Sequence, residues 1–276
     1  FADNAKYDLG SSGEYTQGAG GGAILIRHNP RLLAIPDIWG VSTMPVHDFF
    51  KPRREVETRT VVENVLELAE ESGASITANL AERILKFIPR SSKKNDVLFE
   101  NEKLMIHKDT PVFDGQFSNR CYSESVKQAF IDFRSKAIVE ERYDPDEDEI
   151  LTNQWSRIIV HLPYAFQGKR MFPDVFRHDR RNLPIWEKIT EEIGPEPLPS
   201  NFPDTPEGIE EFEKANDSYR RLISKTNEFR TFVEQRIEKA QRASSLIGNQ
   251  YTGSIFLALM SAMESDYLDN TEMESK

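Results

Sequence analysis

His161 is the histidine best placed to do chemistry among the five in this 276-residue sequence. It ends an apolar run over 156–161 that Pro163 stops, and this pattern predicts a buried strand with the imidazole at its carboxyl end. Open α/β sheets bind ligands at that end of their strands. A catalytic histidine and a packed, hydrogen-bonded one both fit this pattern. The other histidines are expected at the surface, with no spacing that predicts a metal site: His28, His47, His107 and His178.

Cys121 is the only thiol, which excludes an internal disulfide. A nucleophilic cysteine must be activated as a thiolate, and a helix N-terminus can lower its pKa. Cys121 lies just before a helix predicted over 125–141, so a catalytic role stays open. A lone cysteine is more often a small packed residue, and this is the interpretation we favour. Because no secretory signal pattern is present, we expect a reducing, cytoplasmic setting.

A run of basic residues follows His161 in an otherwise acidic chain, which has 35 Lys and Arg against 46 Asp and Glu and a net charge of −11. Guanidinium and ammonium groups make short bonds to phosphate oxygens, although a solvated helix face gives the same pattern. The acidic balance disfavours a general nucleic-acid binder. The run comprises Lys169, Arg170, Arg177, Arg180 and Arg181.

Glycines cluster at 18–22, directly before an apolar run at 23–26 that is predicted to be a buried strand. The cluster fits the dinucleotide-binding pattern G-x-G-x-x-A, but that fingerprint must follow a strand and open a helix. This cluster opens into a strand instead. We therefore expect a loop in which two stretches of backbone approach closely.

Helical periodicity predicts several helices, with Thr205 as an N-cap and Pro206 at the first position of one of them. The proline-rich stretch 194–203 is expected to be an irregular connection. The segment after Gly248 is apolar on almost all sides, which predicts an internal helix. The nearly apolar stretch in this segment is 11 residues long, whereas a helix that spans a membrane needs ~20 apolar residues. We therefore expect no membrane-spanning helix. The other predicted helices cover 56–71, 76–87, 125–141, 205–226 and 228–244.

Six short segments resemble those of hydroxymethylglutaryl-CoA synthases, a thiolase-like family that condenses acetyl-CoA with acetoacetyl-CoA. They follow one another in the family's order, and the matching parts cover roughly residues 1–54, 109–178 and 237–266. The segments are Ala2-Asp3-Asn4-Ala5-Lys6-Tyr7, Gly13-Glu14-Tyr15-Thr16-Gln17-Gly18-Ala19-Gly20, Asp48-Phe49-Phe50-Lys51-Pro52, Asp114-Gly115-Gln116-Phe117-Ser118-Asn119, His161-Leu162-Pro163-Tyr164 and Gly248-Asn249-Gln250-Tyr251-Thr252-Gly253-Ser254.

The resemblance implies an α/β fold with the thiolase-like layered α/β/α/β/α arrangement, truncated at both ends and carrying additional peripheral helices. Residues 1–54 would end the N-terminal thiolase-like half. Residues 109–276 would form the C-terminal half. Two helical insertions, 55–108 and about 179–236, are expected to contribute no residue to the site. The family's usual state is a homodimer.

The resemblance also assigns roles to residues. His161 matches the catalytic histidine, which hydrogen-bonds the acetoacetyl thioester and supports charge on the carbonyl under attack. Asn249 matches the asparagine that holds the same acyl group. The remaining matches are the acyl-pocket residues Tyr7, Thr16 and Ser118, the pair Asp48 and Phe49 beside the catalytic centre, and the CoA contacts Lys169 and Arg170.

The family's nucleophilic cysteine and general-base glutamate precede the segment that ends at Tyr7, so neither is expected in this chain. Cys121 falls where the family uses no cysteine for catalysis, and the chain alone is predicted to be inactive. Acetyl-CoA and acetoacetyl-CoA are the expected partners, without a cofactor or metal. Two alternatives stay open: a relative that acts on carrier-protein thioesters in polyketide β-branching, and a non-catalytic helical interaction module.

Overall fold

The computed structural model describes residues 1–86, 103–108, 110–144 and 150–269. The chain divides into two compact units by its backbone contacts. The larger unit comprises Phe1–Asp48 and Asp114–Lys276, and the smaller unit comprises Phe49–Phe113. The motif residues therefore fall into the larger unit, except for the end of the Asp48-Phe49-Phe50-Lys51-Pro52 segment.

The larger unit combines one antiparallel hairpin with seven helices among its described residues. Strands β1 (Ala2–Ala5) and β2 (Gly18–Gly21) pair in the register Ala5↔Gly18. The helices are α3 (Gly115–Val139), α4 (Gln167–Arg180), α5 (Pro184–Ile193), α6 (Pro206–Ile223), α7 (Asn227–Arg236), α8 (Glu238–Ile247) and α9 (Ser254–Leu268).

The smaller unit contains four short strands and two helices among its described residues. Strands β3 (Phe49–Phe50) and β6 (Val112–Phe113) pair, as do β4 (Arg53–Glu57) and β5 (Lys103–His107). Helices α1 (Thr58–Glu71) and α2 (Ala78–Lys86) lie between β4 and β5 in sequence. The insertion predicted over 55–108 is thus helical only in part, because its first residues enter a strand. Residues 87–102 of this insertion, and residue 109 just after it, lie outside the described residues.

Local capping explains where several helices begin. Asp114 accepts hydrogen bonds from the backbone N–H groups of Gln116 and Phe117, both at 3.0 Å, so α3 starts at Gly115 rather than at 125. Thr205 caps α6 as predicted, since its hydroxyl accepts from the N–H of Gly208 at 3.1 Å. The helix predicted over 228–244 is two helices, α7 and α8, which meet at Ile237.

The buried apolar cluster of the larger unit lies among α3, α4, α5, α6 and α7. Phe229 and Phe232 of α7 pack against Phe176 of α4, and Tyr219 of α6 packs against Trp186 of α5 in this cluster. The expectation that 179–236 packs as peripheral helices is therefore wrong. Its apolar face completes the same core as α4, which was assigned to the thiolase-like part.

Two predicted strands are absent, and their hydrogen bonding explains why. The hairpin ends where Gly22 and Phe1 bond to each other, so 23–26 has no ladder partner among the described residues and leaves Ile26 91% exposed. The segment 156–161 also forms no ladder. The N–H of Ile158 donates instead to the carbonyl of Arg236 at the end of α7, 2.8 Å away.

Helix α9 is half-exposed, which corrects the expectation of an internal helix. Ala258 and Ala262 are fully buried against α8, whereas Met260 on the opposite side is 64% exposed. Asp266, 2% exposed, holds α9 in place by ion pairs to Lys239 of α8 and to Arg157. No helix within the described ranges is long and apolar enough to cross a membrane.

The glycine cluster forms β2 itself, and its glycines allow the close backbone approach that the sequence predicts. A Cβ at Gly18 would lie 2.6 Å from the carbonyl carbon of Gly248. A Cβ at Gly248, whose φ is +88°, would lie 2.1 Å from the carbonyl oxygen of Gln17. The hairpin can therefore rest directly on the chain that carries Asn249.

Substitution of Gly248 should be far more damaging than substitution of a glycine with a similar φ in open space. Gly194 has φ +91° and no atom within 4 Å of the point that a Cβ would occupy, so Gly194→Ala should cost only the backbone strain of ~1–3 kcal/mol. Gly248→Ala must also displace the backbone at Gln17, and we expect a total of about 4 kcal/mol. Urea unfolding of both variants tests this difference, and equal losses of stability would contradict it.

Candidate functional site

Asn249 is the centre of a buried polar cluster that joins the hairpin to α9. Its side chain is 1% exposed, and its Nδ2 donates to the hydroxyl of Tyr7 at 3.3 Å. Its backbone N–H donates to the carbonyl of Thr16 at 2.8 Å, and its Oδ1 accepts from the backbone N–H of Tyr251 at 2.8 Å. Asn249 is therefore in direct contact with the motif residues Tyr7 and Thr16, although it follows both of them by more than 230 positions in sequence.

His161 joins this cluster through Tyr251. Its ring hydrogen-bonds the main chain of Tyr251, whose own N–H is bound to Asn249. From the other side, the hydroxyl of Tyr122 in α3 donates to the carbonyl of His161 at 2.6 Å, and the two rings have centroids 6.2 Å apart. These contacts hold His161 in place, although its segment 156–161 forms no β-sheet hydrogen bonds with another described strand.

The cluster is electrically neutral at pH 7. Burial lowers the pKa of His161, and the hydrogen bond to Tyr251 offsets part of this effect. Burial also raises the pKa values of Tyr122 and Tyr251, so both hydroxyls keep their protons. A neutral imidazole has one N–H donor and one acceptor nitrogen, so it can bind the protein and still meet a polar group of a ligand.

The first turns of α3 carry Ser118 and Cys121, and Asp48 lies close enough to Cys121 for its charge to act on the thiol. Burial raises the pKa of Cys121, and the negative charge of Asp48 raises it further. Cys121 is therefore a buried neutral thiol, the opposite of an activated nucleophile. Tyr122, the next residue, reaches His161, so α3 connects Asp48 and Ser118 to the histidine segment.

Phe49 and the expected CoA contacts Lys169 and Arg170 lie in parts of the described chain other than the Asn249 cluster. Phe49 belongs to the smaller unit, where its ring lies 6.0 Å from that of Phe113. Lys169 and Arg170 lie in α4, a few residues beyond His161, and line a separate cleft of about 870 Å³. The volume is within the range typical of small-molecule sites, ~300–1,000 Å³.

The cleft lies between the starts of α3 and α4 and the helices α6 and α7, and its walls are strongly cationic. Among the described residues, two carboxylates line it, Asp217 and Glu238. Lys169 is paired with Glu238, and Arg170 lies over the ring of Tyr164 at 5.6 Å. Within the part of the chain that the structure describes, Arg221 and Arg230 have no ion pair. The cations that line the cleft are Arg120, Lys169, Arg170, Arg220, Arg221 and Arg230.

The other arginines of the basic run serve the fold. Arg177 bonds Asp174 at 2.9 Å, and Arg181 is paired with Glu196. Arg180 is 4% exposed and lies 4.0 Å over the ring of Phe176. All three side chains are committed to protein contacts, although Arg181 stays exposed while Arg177 and Arg180 are buried.

Sequence reasoning missed Tyr122, Tyr251 and the cleft arginines outside α4. Tyr251 stands inside the Gly-Asn-x-Tyr-Thr-Gly-Ser motif, which is the signal that could have identified it. Tyr122 follows Cys121 directly but no local pattern marks it. Arg221 and Arg230 lie in 179–236, which was expected to contribute nothing to a site. Their position at the cleft contradicts that expectation for this cleft.

Burial of His161 and His178 predicts a loss of stability in mild acid. Burial lowers both pKa values, and for His178 the charges of Arg134, Arg181 and Lys127 lower it further while Asp179 opposes them. The unfolded chain, with histidine pKa ~6.5, then binds more protons than the folded one below that pH. Stability should therefore fall as the pH drops below about 6.5. Urea unfolding at pH 7.5 and 5.5 should show a smaller fall for His161→Gln/His178→Gln, and an unchanged fall would contradict this assignment.

The chain is similar in fold to a solved structure of MvaS in complex with 3-hydroxy-3-methylglutaryl coenzyme A. The TM-score is 0.57 at 20% identity, over 96% of this chain and 44% of that one. This likeness confirms the thiolase-like fold class. The family described as hydroxymethylglutaryl-coenzyme A synthase C terminal matches residues 99–275, and the chain belongs to it.

Two curated relatives carry the same family name. The hydroxymethylglutaryl-CoA synthase of Haloferax volcanii is 25% identical over 274 residues, which are 99% of this chain and 46% of that protein. The hydroxymethylglutaryl-CoA synthase of Enterococcus faecalis is 47% identical over 51 residues, 18% of this chain and 13% of that protein. The chain spans just under half the length of the Haloferax relative.

Proposed function

We propose that this chain supplies the acyl-thioester site of a hydroxymethylglutaryl-CoA synthase, which condenses acetyl-CoA with acetoacetyl-CoA. The observation that carries the proposal is the contact network that joins Tyr7, Asn249 and, through Tyr251, His161. Membership of the synthase family supports it. The cationic cleft beside this network provides charges for the phosphates of coenzyme A.

In the proposed reaction, a carbanion equivalent formed from the acetyl group attacks the ketone of acetoacetyl-CoA. The ketone oxygen gains negative charge as the carbon–carbon bond forms, and fixed donors stabilise that charge. We assign this role to His161 once its second ring nitrogen is protonated, because the single N–H of the neutral ring is bound to the main chain of Tyr251. Asn249 holds the acyl group. The acetyl-carrying thiolate and the base that removes the proton are assigned to residues outside this chain, because its one thiol is buried and neutral.

The two alternatives are less well supported. A non-catalytic interaction module gives no reason for residues from distant motifs to meet in one buried polar cluster. A synthase acting on carrier-protein thioesters also fits the cluster, but a carrier-bound pantetheine brings one phosphate to the six cations of the cleft, fewer than coenzyme A brings. We further propose that the intact protein is a cytoplasmic homodimer that serves the mevalonate pathway.

The direct test is to supply the intact protein with acetyl-CoA and acetoacetyl-CoA and to measure hydroxymethylglutaryl-CoA. Matched reactions use the same acyl groups on a phosphopantetheinylated carrier protein. We expect turnover with the CoA esters and little with the carrier. Preference for the carrier, or no product with either, would contradict the proposal.

Cys121 should be dispensable for the chemistry. Its thiol is buried, and burial and Asp48 both raise its pKa, so it supplies no thiolate at neutral pH. Cys121→Ser in the intact protein should change the condensation rate less than threefold, because no bond to substrate is lost. Incubation with radiolabelled acetyl-CoA followed by denaturing electrophoresis checks the same point. Label that disappears in Cys121→Ser would identify Cys121 as the nucleophile and contradict our assignment.

A further inference from the structure

Phe166 is an exposed aromatic residue at a helix N-cap, a position where neither capping nor packing favours an aromatic side chain. It is the N-cap residue of α4, where Ser, Thr, Asp and Asn are preferred, and it makes no side-chain capping bond. It is 62% exposed, whereas Phe172 and Phe176 in the same helix are 3% and 1% exposed. A residue that breaks a local rule without a gain in packing is expected mainly at functional sites.

The surroundings of Phe166 indicate what its ring would bind. It lines the cationic cleft together with Lys169 and Arg170, which lie within one turn of α4. Cations beside an exposed aromatic ring are the combination that binds a nucleotide, since the cations pair with phosphates and the ring stacks on a base. Neither feature alone requires a purine, but together they distinguish a nucleotide from a simple anion.

Gln167 adds an independent observation at the same place. It lines the cleft, its side chain is 1% exposed, and its Oε1 has no hydrogen-bond donor among the described residues. A buried carbonyl oxygen without a donor is costly, so a ligand N–H is a natural partner. The exocyclic amino group of adenine is such a donor.

We propose that Phe166 is the stacking platform for the adenine of coenzyme A and so a determinant of specificity for CoA esters over pantetheine esters. This inference rests on the proposed function for its ligand and deepens it. The phosphates would contact Arg221 and Arg230, which line the cleft and have no ion pair among the described residues. The acyl end of the ligand would extend toward His161, which precedes Phe166 by five residues.

The test measures binding of adenosine 3′,5′-bisphosphate to the intact protein and its variants by calorimetry. Phe166→Ala should weaken binding about tenfold, because one base stacking contact is lost. Phe166→Trp should retain binding, whereas Phe166→Leu, similar in size but not aromatic, should behave like Phe166→Ala. Leu246→Ala is the matched control, since Leu246 is 83% exposed and lies outside the cleft lining.

Kinetics with two substrates separates this inference from the proposed function. Phe166→Ala should raise KM for acetoacetyl-CoA about tenfold and leave KM for acetoacetyl-pantetheine unchanged, with kcat retained for both. A wild-type protein that condenses CoA esters and a Phe166→Ala variant that binds the bisphosphate equally well would overturn the platform alone. A wild-type protein that binds the bisphosphate but makes no product would overturn the proposed function instead. A change in oligomeric mass without a change in binding would assign Phe166 to an interface and also overturn the platform.

Discussion

His161→Ala should lower the condensation rate of the intact protein by at least 100-fold. Tyr122 holds the backbone carbonyl of His161, and the main chain of Tyr251 hydrogen-bonds its ring, so the residue needs little reorganisation during the reaction. Loss of one preorganised donor to a developing oxyanion typically lowers a rate by ~100–1,000-fold. Because the donor acts on charge that develops during the reaction, the substitution should lower mainly kcat and change KM little.

His178→Ala is the matched control for this change. His178 is also a half-buried histidine with a pKa lowered by burial, but its ring packs against Phe130 and lies outside the Asn249 cluster. We expect its kcat to stay within about threefold of the wild type. Steady-state kinetics of both variants, each checked for folding by circular dichroism, decides the matter. A His161→Ala protein that keeps a tenth of the activity or more would contradict the role proposed for His161.

Arg221→Ser/Arg230→Ser should raise KM for the CoA esters about 100-fold and leave kcat nearly unchanged. Neither arginine has an ion pair among the described residues, yet both line the cleft, so their charges are available to a ligand. Hydrogen bonds to charged groups are each worth ~1.5–3 kcal/mol, about tenfold or more in affinity. Groups that bind substrate and transition state equally affect KM alone.

Three controls distinguish a loss of these phosphate contacts from a general loss of positive charge. Arg242→Ser removes an exposed arginine of α8 that does not line the cleft, and its KM should not change. Acetoacetyl-pantetheine carries no phosphate, so the double variant should use it as well as the wild type does. Added salt should raise the wild-type KM for CoA esters more than that of the variant, because screening weakens the same contacts. An unchanged KM in the double variant would place the phosphates elsewhere.

The sequence alone predicts what its local signals encode. Thr205 and Pro206 fix the start of α6 because a cap and an N1 proline act within one turn. The glycine cluster predicts a close approach of backbones, and Gly18 and Gly248 provide it. The motifs place Tyr7, Thr16 and Asn249 at a site, and the structure brings these three into contact.

Other features depend on tertiary packing, which local patterns do not report. The apolar runs at 23–26 and 156–161 predict strands, but a strand also needs a partner, and neither finds one among the described residues. Arg221 and Arg230 reach the cleft only because α6 and α7 pack against α4, some 50 residues earlier in the chain. Tyr122 contacts His161 across 39 positions for the same reason.

The most direct test of the acyl-thioester site is a crystal structure of the intact protein soaked with acetoacetyl-CoA. Our account predicts that the acetoacetyl group lies within hydrogen-bonding distance of both His161 and Asn249, with the phosphates against Arg221 and Arg230 in the cationic cleft. An acetoacetyl group bound away from His161 and Asn249, with these two side chains still held by Tyr251, would contradict it.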